Sequence, residues 1–354
     1  MKEKVALTYD DIQLIPKYSE VNSRKDINLY TKLSKNYKLI IPLVASPMDT
    51  VCEWEMAYKM LRAGGVGCIH RFMTIDEQVE HVQKVFNKIT DVDVELWNQI
   101  PNHKRKLMPI MAAIGVSDED TKRADKLVAA GVNVLLIDVA HGHHKKVLDM
   151  IRWCKDNLPK YVDIIAGNIA TAEAAIDLEE AGVDGIRAFV GSGSLCSTRI
   201  QTGFGVPSIA TLEEVVKVAK TPVMADGGAR TSGDISKAFA FGASSVMLGS
   251  MLAGTDESPG KIIETPNGLY KRYRGSASLE TKLVHSQEAR NVEGESTRVP
   301  YKGGVKYVLN SILDGVRSAL SYGGASNLDE YNPDYVQITS AGMIEASPHL
   351  LGKK

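Results

Sequence analysis

Cysteine is scarce in this chain: Cys52, Cys68, Cys154 and Cys196 are the only four, far apart and with no CxxC or Cys/His pairing at metal-ligand spacing. That excludes a disulfide scaffold and a zinc module, and the four read as free thiols of a reducing compartment. Neither sign of charge is in excess, since 42 Lys and Arg stand against 43 Asp and Glu. The balance argues against an electrostatic footprint for nucleic acid or an anionic membrane. Long apolar runs are also missing. None approaches the roughly 20 residues of a membrane span, and the opening MKEKVALTYDD carries no apolar signal core. The expectation is a cytoplasmic protein with no nucleic-acid partner and no membrane partner.

What is present is a regular alternation. Short apolar runs (LIIPLVAS, GGVGCIH, MPIMAAIGV, VNVLLIDVA, VDIIAGN, VDGIRAFVG, TPVMADGG and ASSVMLGS) are separated by amphipathic stretches such as EDTKRADKLVAAG and TAEAAIDLEEAG. Eight buried-type strands, each followed by a helix, predict an α/β fold of the (β/α)8 TIM-barrel kind, with a doubly wound open sheet as the structural alternative. Its 354 residues suffice for one such barrel as a single domain. Asp138 to His144, Gly167-Asn168, the loop around Cys196 and Asp226-Gly227-Gly228 all follow strand ends, the catalytic face of a barrel. Residues 255–305 are polar, rich in glycine and charge and poor in core-forming runs. A long irregular excursion of that kind reads as a functional lid.

Cys196 sits in GSGSLCSTR (191–199), where glycines permit a tight turn and Ser194, Ser197, Thr198 and Arg199 surround the thiol. Such neighbours favour the thiolate and hence a nucleophile, although a small buried core cysteine fits the bare spacing as well. In ADGGARTSGDISKAFAFGASSVMLGSMLAG (225–254), two glycine-bearing strand ends flank one helix. Loops after strands 7 and 8 of such barrels bind phosphate with backbone N–H groups and a helix N-terminus. Asp226 would repel a phosphate and so reads as an acceptor for ribose hydroxyls. A flavin mononucleotide and a purine nucleotide both satisfy this pattern.

The segments LTYDDIQLIP (7–16), ASPMDTV (45–51), GGVGCIHRF (64–72), IDVAHGHH (137–144), AGNIAT (166–171), GSGSLCSTR, ADGGARTSGDISKA (225–238), YRGSAS (273–278) and YGGA (322–325) run through the chain in order. Together they resemble the IMP dehydrogenase/GMP reductase family. The resemblance implies a barrel, assembled as a homotetramer, that binds a purine monophosphate, GMP or IMP. Cys196 would attack purine C2 to give a covalent thioimidate, and a nicotinamide cofactor would give or take a hydride there. It further implies nucleotide contacts at Ser46, Met48, Ser194 and Asp226, and at Gly227, Gly228, Gly249 and Ser250. Gly275, Ser276, Ala277, Arg290 and Gly294 would complete them from the lid side. Cofactor contacts are implied at Asp138, Val139 and Ala140 with Arg71, Val190 and Gly191, and farther off at Ser23 and Arg24 with Tyr322, Gly323, Gly324 and Ala325. The carbonyls of Gly191, Gly193 and Cys196, with Arg199 beside them, would form a monovalent-cation site for K+. His143 and His144 read as a solvated helix start, with no metal.

The two branches of the family diverge after the covalent step. A dehydrogenase hydrolyses the adduct with an Arg-Tyr pair on its flap. A reductase handles ammonia with a Thr–Glu pair beside the cysteine. Between YRGSAS and Glu293-Gly294 lie only the fourteen residues LETKLVHSQEARNV, without an Arg-Tyr dipeptide; Arg272-Tyr273 belongs to the YRG segment. By resemblance the chain therefore falls on the reductase side: NADPH-dependent conversion of GMP to IMP and ammonia, with Cys196, Thr198 and Glu293 as catalytic residues, a mobile flap at 276–304 and a C-terminal extension at 326–354. The stretch 89–108 is too short for the regulatory insert domain found in many dehydrogenases. Other features point toward the dehydrogenases: ITSAGMIEASPHLL (338–351) and VPYKGG (299–304) resemble their segments. Phe189 stands where the family usually has glycine, and Ser276 where methionine is common. The alternatives are an IMP dehydrogenase with a degenerate flap, a flavin-dependent barrel oxidoreductase, and a catalytically silent nucleotide sensor.

Overall fold

Each of the eight apolar runs forms a strand in the computed structural model, which describes residues 5–100, 108–284 and 292–345. They are β1 (Leu43–Ala45), β2 (Val66–Ile69), β3 (Met111–Ile114), β4 (Val134–Asp138), β5 (Asp163–Ile169), β6 (Gly185–Ala188), β7 (Val223–Asp226) and β8 (Ser245–Leu248). All pair in parallel, and β8 returns to β1 with Val246 opposite Leu43 and Leu248 opposite Ala45, closing the sheet. Closure removes the open-sheet alternative. Leu43, Val44, Val134, Leu135, Ile164 and Val246 are fully buried, as expected of parallel strands covered on both faces. The amphipathic stretches become the outer helices, among them Asp118–Ala129, Lys145–Asn157, Ala172–Glu180 and Ser232–Ala240. Their starts are chemically marked: the Thr171 hydroxyl accepts from Ala174 N–H, and His144 caps its helix by accepting from Lys146 N–H. Among the described residues no helix is long and apolar enough to cross a membrane.

Residues 255–305 depart from the irregular lid expected of them. They contain a three-stranded antiparallel sheet, Ile263–Thr265, Gly268–Arg274 and Ser296–Pro300. Pro266-Asn267 makes the tight turn between the first two strands, and Gly268, opposite Thr265, opens the second at φ 123°. The flap span thus begins with the helix Leu279–Val284 and ends in a paired strand, Arg274 lying opposite Ser296. The C-terminal extension also folds back. Its strand Tyr335–Gln337 pairs with Ile12–Leu14, and the Tyr335 ring lies 5.0 Å from that of Phe241. The short stretch after β2 holds the helix Asp91–Trp97, whose buried Trp97 donates from Nε1 to the Leu61 carbonyl at 3.0 Å.

Candidate active site

A cavity of about 570 Å³ opens at the C-terminal ends of the strands, within the ~300–1,000 Å³ usual for small-molecule sites. The loop after β6 carries Cys196 into it. Cys196 is half-buried and Thr198 begins the short helix Thr198–Thr202, so their side chains meet across one turn. The Cys196 thiol donates to Thr198 Oγ1 at 3.1 Å, and the Thr198 hydroxyl donates to Glu293 Oε2 at 2.6 Å. Glu293 is delivered by the flap, whose backbone is stitched to the loop: Ser197 N–H donates to the Glu293 carbonyl, and Glu295 N–H to that of Leu195. Glu293 N–H in turn donates to the Ala277 carbonyl. Ninety-five residues of chain separate Thr198 from Glu293, and only this stitching joins them.

At one end of the cavity, Ser46, Met48, Ser194, Gly249 and Ser250 gather around the Tyr273 hydroxyl. A Cβ on Gly249 would fall 2.9 Å from the Tyr273 hydroxyl and 3.2 Å from Met48 Sδ, so glycine keeps that end open. Ser194 and Tyr273 hydroxyls lie 3.3 Å apart, and burial pushes the Tyr273 hydroxyl above its ordinary pKa, keeping it a neutral donor. Gly227 (φ 100°) packs on the cysteine loop so closely that a Cβ would lie 3.0 Å from Gly193 N. The helix Ser232–Ala240 that follows β7 is closed at its start by a capping box. Asp234 accepts from Arg230 N–H and Thr231 N–H, while its own N–H donates to Thr231. The turn after β8, with Gly249 and Ser250, lines the same cavity.

Between the two ends lies a buried ion cluster. Arg187 on β6 bridges Asp226 on β7, at 2.9 Å, and Asp138 on β4. Burial alone would lower the Arg187 pKa, but the two carboxylates more than offset it and hold the guanidinium charged. Asn168 Nδ2 donates to both the Phe189 carbonyl and Asp226 Oδ2, each at 2.8 Å. The Asn168 and Arg187 bonds to Asp226 all end on Oδ2, so Oδ1 is the oxygen left open to a hydroxyl donor among the described residues. Phe189 has φ 97°, the only non-glycine among the described residues at positive φ, a strain of about 1–3 kcal/mol. Its buried ring meets that of Tyr9 edge-on, with centroids 6.4 Å apart. Among the described residues the Tyr9 hydroxyl is buried without a hydrogen-bond partner, as is Arg71 Nε, and both residues line the cavity.

The cavity therefore gathers Cys196, Thr198 and Glu293, every expected nucleotide residue except Arg290, and the cofactor residues Arg71, Asp138, Val139, Ala140, Val190 and Gly191. Arg290 lies outside the described residues. The set Ser23, Arg24 and Tyr322–Ala325 assembles elsewhere. Arg24 stacks over the Tyr322 ring at 5.7 Å, beside a second depression lined in part by Asn22 and Gly324. Gly193 already accepts from Cys196 N–H, and the exposed Arg199 gives its carbonyl to Gly203 N–H and its guanidinium to the Val206 carbonyl. A cation suits the neutral carbonyls of the loop, whereas the Arg199 guanidinium repels one. Sequence reasoning passed over Tyr9, Arg187 and Tyr273. Arg187 inside an apolar strand run was the one visible signal, since a buried arginine demands carboxylate partners.

A family model for the IMP dehydrogenase / GMP reductase domain matches residues 6–349. The chain is 40% identical to inosine-5'-monophosphate dehydrogenase of Cryptosporidium parvum, over 97% of this chain and 94% of that one. It is 34% identical to GMP reductase of Leishmania donovani, over 98% and 97%. Among solved structures, GMP reductase from Trypanosoma brucei, a cysteine-to-alanine variant in complex with guanosine 5'-monophosphate, superposes with a TM-score of 0.89 at 32% identity and 98% coverage of both chains. The closed eight-stranded barrel, the thiol at its mouth and these similarities agree: the chain belongs to the IMP dehydrogenase/GMP reductase family, a family of oxidoreductases.

Proposed function

We propose that the chain is a GMP reductase, converting GMP and NADPH to IMP, ammonia and oxidised cofactor. The hydrogen-bonded line from Cys196 through Thr198 to Glu293 carries this reading. Glu293 accepts the thiol proton through the Thr198 hydroxyl, and the thiolate left behind attacks purine C2. As the C2–N bond breaks, the same proton returns along the line to the departing amino group. Thiol hydrogen and amino group together make one ammonia, so no water is consumed. Asp226 Oδ1 holds a ribose hydroxyl, and Ser46, Ser194, Gly249 and Ser250 seat the phosphate with the Tyr273 hydroxyl. Arg71, Asp138, Val139 and Ala140 wall the space beside the purine, a fit for a nicotinamide, which when bound supplies the hydride that releases IMP from sulfur. Ser23, Arg24 and Tyr322–Ala325 lie off this cavity. A second copy of the chain in the expected homotetramer would bring such a cluster to the far end of the cofactor, where the Arg24 cation suits the extra phosphate of NADPH. The carbonyls of Gly191, Gly193 and Cys196 would hold K+.

IMP dehydrogenase is the second reading, favoured by the names of several relatives, that of Cryptosporidium parvum among them. Nicotinamide absorbance separates the two. Oxidation of NADPH with GMP, with IMP as product, is the expected result. Inactivity there, with reduction of NAD and formation of XMP from IMP, would reverse the assignment.

A further inference from the structure

Two lysines reach into the segment after β8. Lys271, buried on the central strand of the flap sheet, donates from Nζ to the carbonyls of Thr255, at 2.9 Å, and Ser258. Lys302, at the C-terminal root of the flap, donates to the carbonyls of Ser250 at 2.7 Å and Met251 at 3.0 Å. Its backbone is fixed to the same segment: Lys302 N–H donates to the Gly254 carbonyl and Asp256 N–H to that of Gly303.

The two ammonium groups differ in what stands on the other side of the carbonyls they hold. Ser250 lines the cavity, whereas Lys302 does not line it and so approaches the turn from behind. In a trans peptide the carbonyl and the following N–H point in opposite directions. Drawing the Ser250 carbonyl onto Lys302 therefore turns the Met251 N–H away from Lys302. Lys302 is half-buried, and burial depresses its pKa below the usual lysine range. An ammonium held directly on carbonyl dipoles brings positive potential to the turn. Lys271 has Asp256 and Glu257 acting on it and holds carbonyls farther along the segment.

Resting on the reading that a purine monophosphate occupies the cavity, we propose that Lys302 is a positioning residue for its phosphate, orienting the turn after β8 from behind and supplying the positive charge that the turn itself lacks. Lys271 is the matched structural staple without that role. The flap thus contributes to the site twice, with Glu293 at the reacting end and Lys302 behind the phosphate.

The test is the ratio of dissociation constants for GMP and guanosine, measured by calorimetry on the full chain, because a general loss of folding cancels in the ratio. Lys302→Met is expected to reduce the preference for GMP by about tenfold or more, as befits loss of a charge-assisted contact network. Lys302→Arg should keep most of it. Lys271→Met should lower the melting temperature while leaving the ratio at its wild-type value. A wild-type ratio in Lys302→Met, or an equal change in Lys271→Met, overturns the proposal. A wild-type chain that binds GMP no better than guanosine removes the phosphate-site reading beneath it.

Discussion

Cys68 and Cys196 belong to the same barrel, one in its wall on β2 and the other on the loop after β6. Cys68 and Cys52, the latter in the loop after β1, are fully buried, and burial pushes both thiols far above their ordinary pKa. Cys154, on the buried face of the Lys145–Asn157 helix, is pushed up to about 12 by burial. These three act as small apolar groups that fill space. At the mouth the backbone is glycine and serine, the thiol is half-exposed, and an acceptor stands 3.1 Å away with a carboxylate behind it. The side chain is the same in both regions. Reactivity comes from what the barrel places beside it.

The sharpest way to break that contrast is to exchange the thiols one at a time. Cys196→Ala should lower turnover by a factor on the order of 10⁴ or more, since the covalent route is lost, while Cys154→Ala should turn over like the wild type. Comparable losses in the two variants would erase the distinction. A smaller effect is expected from Glu293→Gln, which keeps the shape of the flap contact but cannot take a proton. Turnover should fall by about 10²–10⁴-fold, and iodoacetamide should label Cys196 more slowly at neutral pH because the thiol has lost its proton acceptor. Unchanged turnover would remove Glu293 from the mechanism.

The smallest effect is on stability at high pH. The Cys154 thiol is held neutral in the folded chain up to about pH 12 but ionises near ~8.5 when unfolded. A raised folded-state pKa means that its contribution is complete below ~8.5 and is lost as pH climbs toward 12. Between pH 8 and 10, urea unfolding of the wild type should therefore lose more stability than that of Cys154→Ala, by up to about 1.4 kcal/mol per pH unit. Parallel pH profiles would contradict the burial argument.

How much of this could be read from the sequence depended on whether the signal was local. Runs such as VNVLLIDVA and ASSVMLGS state their burial in their own composition, and all eight became barrel strands. The loops that carry chemistry were legible for the same reason, since glycine beside serine, cysteine or aspartate at strand ends is a local pattern. The flap sheet was misjudged as irregular. Its signal was present in ETPNGLYKRYR, a Pro-Asn turn followed by a strand in which Lys271 and Tyr273 alternate inward, but a buried lysine disguised the alternation. The Tyr335–Gln337 strand and the roles of Tyr9 and Arg187 depend on partners hundreds or tens of residues away, such as Ile12–Leu14 and Asp138, which no window of sequence contains. Phe189 was visible as an oddity; its positive φ was not.

The most direct test of the central claim, that the Cys196–Thr198–Glu293 line serves ammonia and not water, runs the reaction backward. Purified chain is given IMP and oxidised NADP, with and without ammonium, and reduced cofactor is followed by absorbance. Without ammonium, the account predicts reduction of no more than about one equivalent per Cys196, with the adduct held on sulfur. Added ammonium should release it as GMP and sustain turnover. Continuous reduction without ammonium, with XMP as product, would show that water reaches the adduct and would contradict the account.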